Sequence, residues 1–276
     1  MPFDPKPTKY PFPMDTKEHY LVVKKDDHSV FDSNYVFLDK SKKFLLWKKF
    51  VRFLLFIFVF PLNRIRLGLR IKGRKNIREN KKLLKEGAFS CSNHIHMWDF
   101  ICVMRGLLPF KPYVVVWPKN MRGENKKIIK SVGGIPVPDG DMSGTRKFIR
   151  TISELVHDKQ IIHVCSEGSM WEFYMPIRPF RDGVAKFAVK WDKPVIPMGF
   201  SYRKPGFIRG KIFHQQAKIT LNIGKPLFPN KELEDKERIY DLTKRLHDEV
   251  CLLCGIKPEE NIYEAVYNNS KRIDYY

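Results

Sequence analysis

The sequence predicts an α/β fold in which a mostly parallel central sheet is covered by helices. From residue 86 onward, short apolar runs bounded by Gly, Pro and polar residues alternate with amphipathic helical stretches. Each such helix carries the chain back across a sheet face, so successive strands run parallel. A chain of 276 residues with 43% hydrophobic content fills one large α/β domain or two small ones.

The strands follow in order. "GAFSCS" (87–92), "PYVVVW" (112–117), "GIPV" (134–137), "IIHVC" (161–165) and "PVIPMGF" (194–200) are short apolar runs with turn residues at their ends. "QAKITLNIG" (216–224) is a later strand of alternating character. Helices fall between them. "FICVMRGLL" opens one after the first strand. Ser143 is placed to N-cap another that runs to about His157, with Phe148, Ile152, Leu155 and Val156 on one face. "GVAKFAVKW" (183–191) is a third, and Ile239, Leu242, Leu246, Val250 and Leu253 form the stripe of a last one. No internal repeat is present.

The N-terminal part reads differently. Residues 1–43 are rich in Pro, Asp and Lys without periodicity, which predicts an irregular arm. Residues 44–62, "FLLWKKFVRFLLFIFVFPL", contain an uncharged stretch from Phe53 to Leu62, about half the roughly 20 residues that cross a bilayer. Lys48, Lys49 and Arg52 precede it, and Arg64, Arg66 and Arg70 follow. Such a segment is either an interfacial anchor in one leaflet or a buried core helix, and its flanking cations favour the anchor. The expected divisions are an arm (1–43), an anchoring region (44–72), an α/β domain (73–255) and a polar, Tyr-rich tail (256–276).

A formal net charge of +21 calls for an anionic partner. Nucleic acid, an anionic membrane and acidic proteins or substrates all qualify. The sequence holds no RGG, zinc-finger or RNP-like pattern, and its Lys are spread along the chain, which favours a membrane or phosphorylated substrates and no nucleic acid. Five cysteines and no recognisable signal peptide predict reduced thiols facing the cytosol. Cys251 and Cys254 have CxxC spacing inside a helical run with no second pair, so they read as two helix cysteines.

"SNHIHMWDF" (92–100) follows the first strand. Asp99, five residues after His94, is within reach of the imidazole Nδ1, which would fix the tautomer and leave Nε2 as a base. His94 and His96 also have chelating spacing, and a plain surface-loop histidine fits as well. Downstream, in order, come "SEGS" (166–169), "RPFRDGVAKFA" and "KPVIPM".

This ordered set resembles the lysophosphatidic acid acyltransferase family, the 1-acyl-sn-glycerol-3-phosphate acyltransferases with the NHx4D motif. Asn93, His94 and Asp99 fill the first block, Glu167-Gly168 part of the third, and Pro194 to Pro197 the fourth, across about residues 85–225. The resemblance implies a glycerolipid acyltransferase-like fold and transfer of a fatty acyl group from acyl-CoA or acyl carrier protein to a lysophospholipid hydroxyl, with His94 as general base oriented by Asp99. It implies no metal and no cofactor beyond the acyl co-substrate, and an enzyme on the cytosolic side of an anionic membrane. Asn93, Lys119, Glu167, Gly168, Ser169, Arg178 and Arg181 are the corresponding substrate-binding candidates. Two departures touch the acceptor: Asp139 and Met170 stand where the family has Arg. Lys119, Arg178 and Arg181 are then the candidate cations for an anionic headgroup. Backbone N–H groups of the Gly168 turn are candidate oxyanion donors. A different lysolipid or glycolipid acceptor, a metal hydrolase using His94, His96 and Asp99, and a non-catalytic cationic surface protein are the competing readings.

Overall fold

A computed structural model describes residues 2–5 and 27–258. Most of the tail expected over 256–276, and residues 1 and 6–26 of the arm expected over 1–43, therefore lie outside the described residues.

A long helical segment comes first. It comprises α1 (Lys42–Leu54), a π-helical turn (Leu55–Val59) and α2 (Phe60–Arg66). Pro61 has no N–H to give to the carbonyl one turn back, and the wider turn just before it accommodates that loss. The segment is not a core helix. None of the α1 residues is buried, and only Leu55, Phe60 and a few neighbours pack inward, against Met104 and Val132. Leu46, Phe50, Phe53, Phe56, Phe58, Leu62 and Ile65 are exposed. Among the described residues no helix is long and apolar enough to cross a membrane.

The sheet then builds from β1 (Arg70–Lys72), which is followed by α3 (Arg74–Glu79) and α4 (Lys81–Leu84). Next come β2 (Ala88–Ser92), α5 (Asp99–Gly106), β3 (Tyr113–Val116), a 3₁₀ turn (Pro118–Met121), α6 (Lys126–Val132) and β4 (Gly134–Pro136). The chain continues through α7 (Met142–His157), β5 (Ile161–Cys165), α8 (Gly183–Trp191), β6 (Val195–Arg203), a π-helical turn (Ile208–Ile212), β7 (Lys218–Ile223) and α9 (Asp235–Cys254). The seven strands lie in the order β1-β7-β6-β2-β5-β3-β4.

Strands β2 to β6 are mutually parallel. β7 runs antiparallel to β6 and β1 runs parallel to β7. The fold is thus α/β with a mostly parallel sheet. Helices α7, α8 and α9 cover one face, where Phe89, Ile152, Val184, Leu246 and Val250 pack together. Ile95, Val103, Leu107, Phe200 and Leu221 fill the other. All five residues of β2 are buried, as expected of a central parallel strand.

Several sequence expectations need correction. The cap of α7 is Asp141, whose Oδ1 accepts from the Gly144 N–H at 3.0 Å. Ser143 lies within the first turn and donates its hydroxyl to the same oxygen at 2.7 Å. β6 extends three residues past Phe200, because it gains the antiparallel partner β7. β1 was not expected: three residues, two of them cationic, carry no apolar pattern of their own, and their register with Thr220, Leu221 and Asn222 makes the strand.

Candidate active site

From β2 the chain runs out to β3 and β4, returns as β5 between β2 and β3, then crosses to β6 on the far side of β2. The exits of β2 and β5 therefore lie side by side at the carboxyl edge, where the winding direction changes. Such a crevice is where open α/β sheets place their ligands.

Asn93 is the first residue beyond β2. Its amide nitrogen donates to the Phe200 carbonyl at 3.1 Å and its oxygen accepts the Phe200 N–H at 2.8 Å. Asn93 is fully buried and clips the loop to β6. Its side-chain amide thus ties the loop to the sheet.

His94 follows, with its imidazole about one-quarter exposed and Nδ1 3.0 Å from Asp99 Oδ2. The same carboxylate oxygen accepts the backbone N–H groups of Ile95 at 2.7 Å and His96 at 3.0 Å. Asp99 opens α5 and is 1% exposed. One buried oxygen thus shapes the loop and holds the ring. With Nδ1 donating to Asp99, Nε2 is the nitrogen left for proton transfer. His96 is engaged elsewhere: its Nδ1 accepts the Trp98 N–H at 3.1 Å, and its Nε2 stands 3.7 Å from Glu172. Among the described residues no group of three or more His, Cys, Asp or Glu is arranged to hold a metal ion.

Beneath the loop is a buried ion pair. Glu167 Oε2 accepts the His94 N–H at 2.8 Å and lies 3.0 Å from Arg178 Nη2. Glu167 Oε1 accepts the Arg178 N–H at 2.8 Å. Arg178 Nη1 donates to Ser169 Oγ at 2.6 Å, Nη2 also reaches the Ser169 carbonyl, and the guanidinium carbon lies 4.2 Å from the centre of the Trp171 ring. Both charged side chains are at most 2% exposed. Arg178, Glu167 and Ser169 therefore spend their polar groups on one another and on the His94 backbone. All three candidates thus stand beneath the loop, in a cluster that holds the His94 backbone. Trp171 and Phe173 add backbone bonds to the His94 and Ile95 carbonyls at 3.1 and 3.0 Å.

Gly168 turns the chain at φ +77°, and a Cβ there would lie 2.3 Å from Arg181 Nε. Glycine is thus required both by the left-handed backbone and by the guanidinium laid against it. The Gly168 N–H donates to the Cys165 carbonyl at 3.1 Å, so this amide is committed to the turn rather than to an oxyanion. Arg181 is exposed. Lys119 is also exposed, on the 3₁₀ turn after β3, with its ammonium 5.3 Å from the centre of the Trp117 ring. Asp139 is paired with Arg122 at 2.7 Å, which neutralises the carboxylate expected to repel a phosphate. Met170 is 5% exposed and belongs to the interior.

The sequence reading undervalued Cys165, at the end of β5. It lies opposite Ser92 in the register, one strand from the His94 loop. Burial pushes the His94 imidazole down, but the Cys165 sulfur and then the Asp99 hydrogen bond outweigh it and raise its pKa to about 10. Burial likewise pushes the Cys165 thiol up, while His94 and then His163 draw it down to about 6. The two shifts favour a protonated imidazole beside a thiolate. His163 is the sulfur's second neighbour, with Nε2 3.8 Å away, and its ring also meets Ser90 Oγ at 3.0 Å and Ser92 Oγ at 3.3 Å. All five cysteines are free, so the CxxC pair on α9 forms no disulfide.

Residues 68–201 match the family model described as Acyltransferase, a range that contains all of the candidate residues above. Among solved structures, the chain is similar to the 1-acyl-sn-glycerophosphate (LPA) acyltransferase PlsC from Thermotoga maritima. The two are 16% identical over 77% of this chain and 84% of that one, with a TM-score of 0.45. No curated protein matches.

Proposed function

We propose that this chain, whose residues 68–201 match the family model described as Acyltransferase, acylates the hydroxyl of a lysophospholipid at a membrane surface, with 1-acylglycerol-3-phosphate as the favoured acceptor. The observation that carries the reading is the His94–Asp99 pair, 3.0 Å apart and partly open to solvent at the carboxyl edge of the sheet.

The chemistry follows from the geometry. In the reactive form the His94 ring is neutral. His94 Nε2 takes the proton of the acceptor hydroxyl as its oxygen attacks the thioester carbonyl. The C–O bond forms, the C–S bond breaks, and the proton passes from the imidazolium to the leaving thiolate. Asp99 stabilises the imidazolium during transfer, and Glu167 acts on the reaction only by holding the His94 N–H. The donor is acyl-CoA or acyl carrier protein. Lys119 and Arg181, both exposed cations, are the side chains assigned to the acceptor phosphate. The exposed apolar stripe on α1 and α2, with Arg64 and Arg66 at its end, is the surface assigned to the bilayer.

The test is incubation of the purified protein with acyl thioesters and a panel of lysolipids, with products identified by mass spectrometry. Phosphate-bearing acceptors should be turned over best, and His94→Ala should lower transfer by about 10³-fold or more while the fold is retained. Near wild-type turnover by His94→Ala would remove the mechanism. Preference for an uncharged lysolipid or glycolipid would remove the phosphate acceptor and leave the acyltransferase chemistry.

A further inference from the structure

A cavity of about 440 Å³ opens where β6 ends and β1 and β7 begin. Arg64, Arg70, Arg74, Arg105, Arg203 and Arg209 line it, and among the described residues none of the lining is a carboxylate. Six different elements supply these arginines, so the cluster is a product of the fold and not of a local charge run.

The guanidinium groups are held in place by neutral acceptors. Arg105 Nη1 donates to the Phe60 carbonyl at 2.8 Å, and Arg74 donates to the Arg105 carbonyl. Arg203 donates to Thr220 Oγ1 at 2.8 Å and to the carbonyls of Ile219 and Gly68. Arg209 donates to the Ile65 carbonyl. These bonds orient the charges without cancelling them. Burial, then Arg64 and Arg74, push the Arg105 guanidinium below its ordinary value, and burial, then Arg70 and Arg209, do the same for Arg203. Converging like charges oppose folding unless an anion lies among them.

The rim separates this cavity from a site for small soluble anions. Leu62 and Ile65 stand on one side; Phe207, Ile208, Ile212 and Phe213 stand on the other, each more than half exposed. The two sides are joined, because Arg209 reaches the Ile65 carbonyl and Gln215 donates to the Arg66 carbonyl at 3.0 Å. Apolar side chains around a cationic hollow match the boundary between lipid headgroups and acyl chains. The hollow is also displaced from the chemistry: Arg105 lies about 9 Å along α5 from Asp99.

We propose that this arginine cavity binds the phosphate of a bilayer lipid that is not the acyl acceptor, so that the enzyme docks on anionic membranes through a headgroup site separate from His94. The proposal rests on the membrane-surface reading above.

Co-sedimentation of the full chain with phosphatidylcholine vesicles, with and without roughly one-fifth phosphatidylglycerol, tests it. Removing two cations with Arg70→Gln and Arg74→Gln should weaken binding to the anionic vesicles about 30-fold. The equally charged control Lys190→Gln with Lys236→Gln, on α8 and α9 at the other sheet face, should weaken it only a few-fold. Kinetics with a short-chain, water-soluble acyl donor should be the same in both double variants. Equal losses in the two would reduce the cavity to part of a diffuse positive surface. A raised donor KM confined to the arginine variant would assign the cavity to the donor's phosphates and overturn the proposal. Wild-type binding that ignores phosphatidylglycerol would remove the cavity site alone, whereas failure to bind either vesicle would remove the membrane-surface reading with it.

Discussion

Replacing Asp99 by Asn separates the two tasks of one carboxylate oxygen. Asp99 Oδ2 accepts from the Ile95 N–H at 2.7 Å, the His96 N–H at 3.0 Å and His94 Nδ1 at 3.0 Å. An asparagine oxygen in the same place keeps the two backbone bonds, at about half their strength. Its nitrogen falls where Oδ1 is buried without a hydrogen-bond partner among the described residues, so the fold should lose about 1–3 kcal/mol. Catalysis should lose more. Unit charges 3.0 Å apart attract by about 5 kcal/mol at an effective dielectric near 20. At about 1.4 kcal/mol per decade, loss of most of that attraction slows the step about 10³-fold. Because the imidazolium forms as the acceptor proton moves, the fall should appear in kcat with KM little changed. Thioester-release kinetics and urea unfolding on the same preparation measure both quantities. Asp99→Ala, which removes all three bonds, should destabilise by roughly 3 kcal/mol or more. An Asn variant within tenfold of wild-type kcat would refute a catalytic role for the pair and leave Asp99 as a loop-folding residue only.

Two further outcomes follow from the buried groups around this loop. Arg178→Met leaves the Glu167 charge buried and should cost about 3–5 kcal/mol in urea unfolding; adding Glu167→Gln should recover part of it, and an Arg178→Met protein as stable as wild type would contradict the ion pair's role. Cys165→Ala removes the sulfur that helps raise the His94 pKa to about 10. Because a base works only when deprotonated, the rise of kcat/KM with pH should then move to lower pH by roughly one unit or more. An unmoved profile would show that the sulfur does not hold the imidazole pKa up.

What the sequence disclosed was governed by distance along the chain. His94 and Asp99 are five residues apart at a strand-to-helix junction, so local geometry alone predicts their hydrogen bond. The central strands announced themselves through continuous apolar runs. Arg178 and Glu167 were read as separate ligand contacts because their side chains are polar, and nothing local says that each is the other's partner. Asn93 was assigned to substrate for the same reason, although its acceptor and donor are both on Phe200, more than a hundred residues away. Cys165 carries no local motif, because its surroundings come from the adjacent strand. The arginine cavity is the extreme case, since its lining spans positions 64 to 218.

The two outer strands of the sheet have a further consequence. β1 and β4 are each three residues long, the first reading Arg-Ile-Lys and the second ending in proline. Short edges that carry cations, or that lack an N–H to donate, are poor templates for a strand from another molecule. A bilayer concentrates whatever adheres to it, and crowded sheets with long open edges are prone to pair into aggregates. Among the described residues this sheet presents no long open edge, so its strands are poorly placed to recruit those of another copy where molecules crowd together.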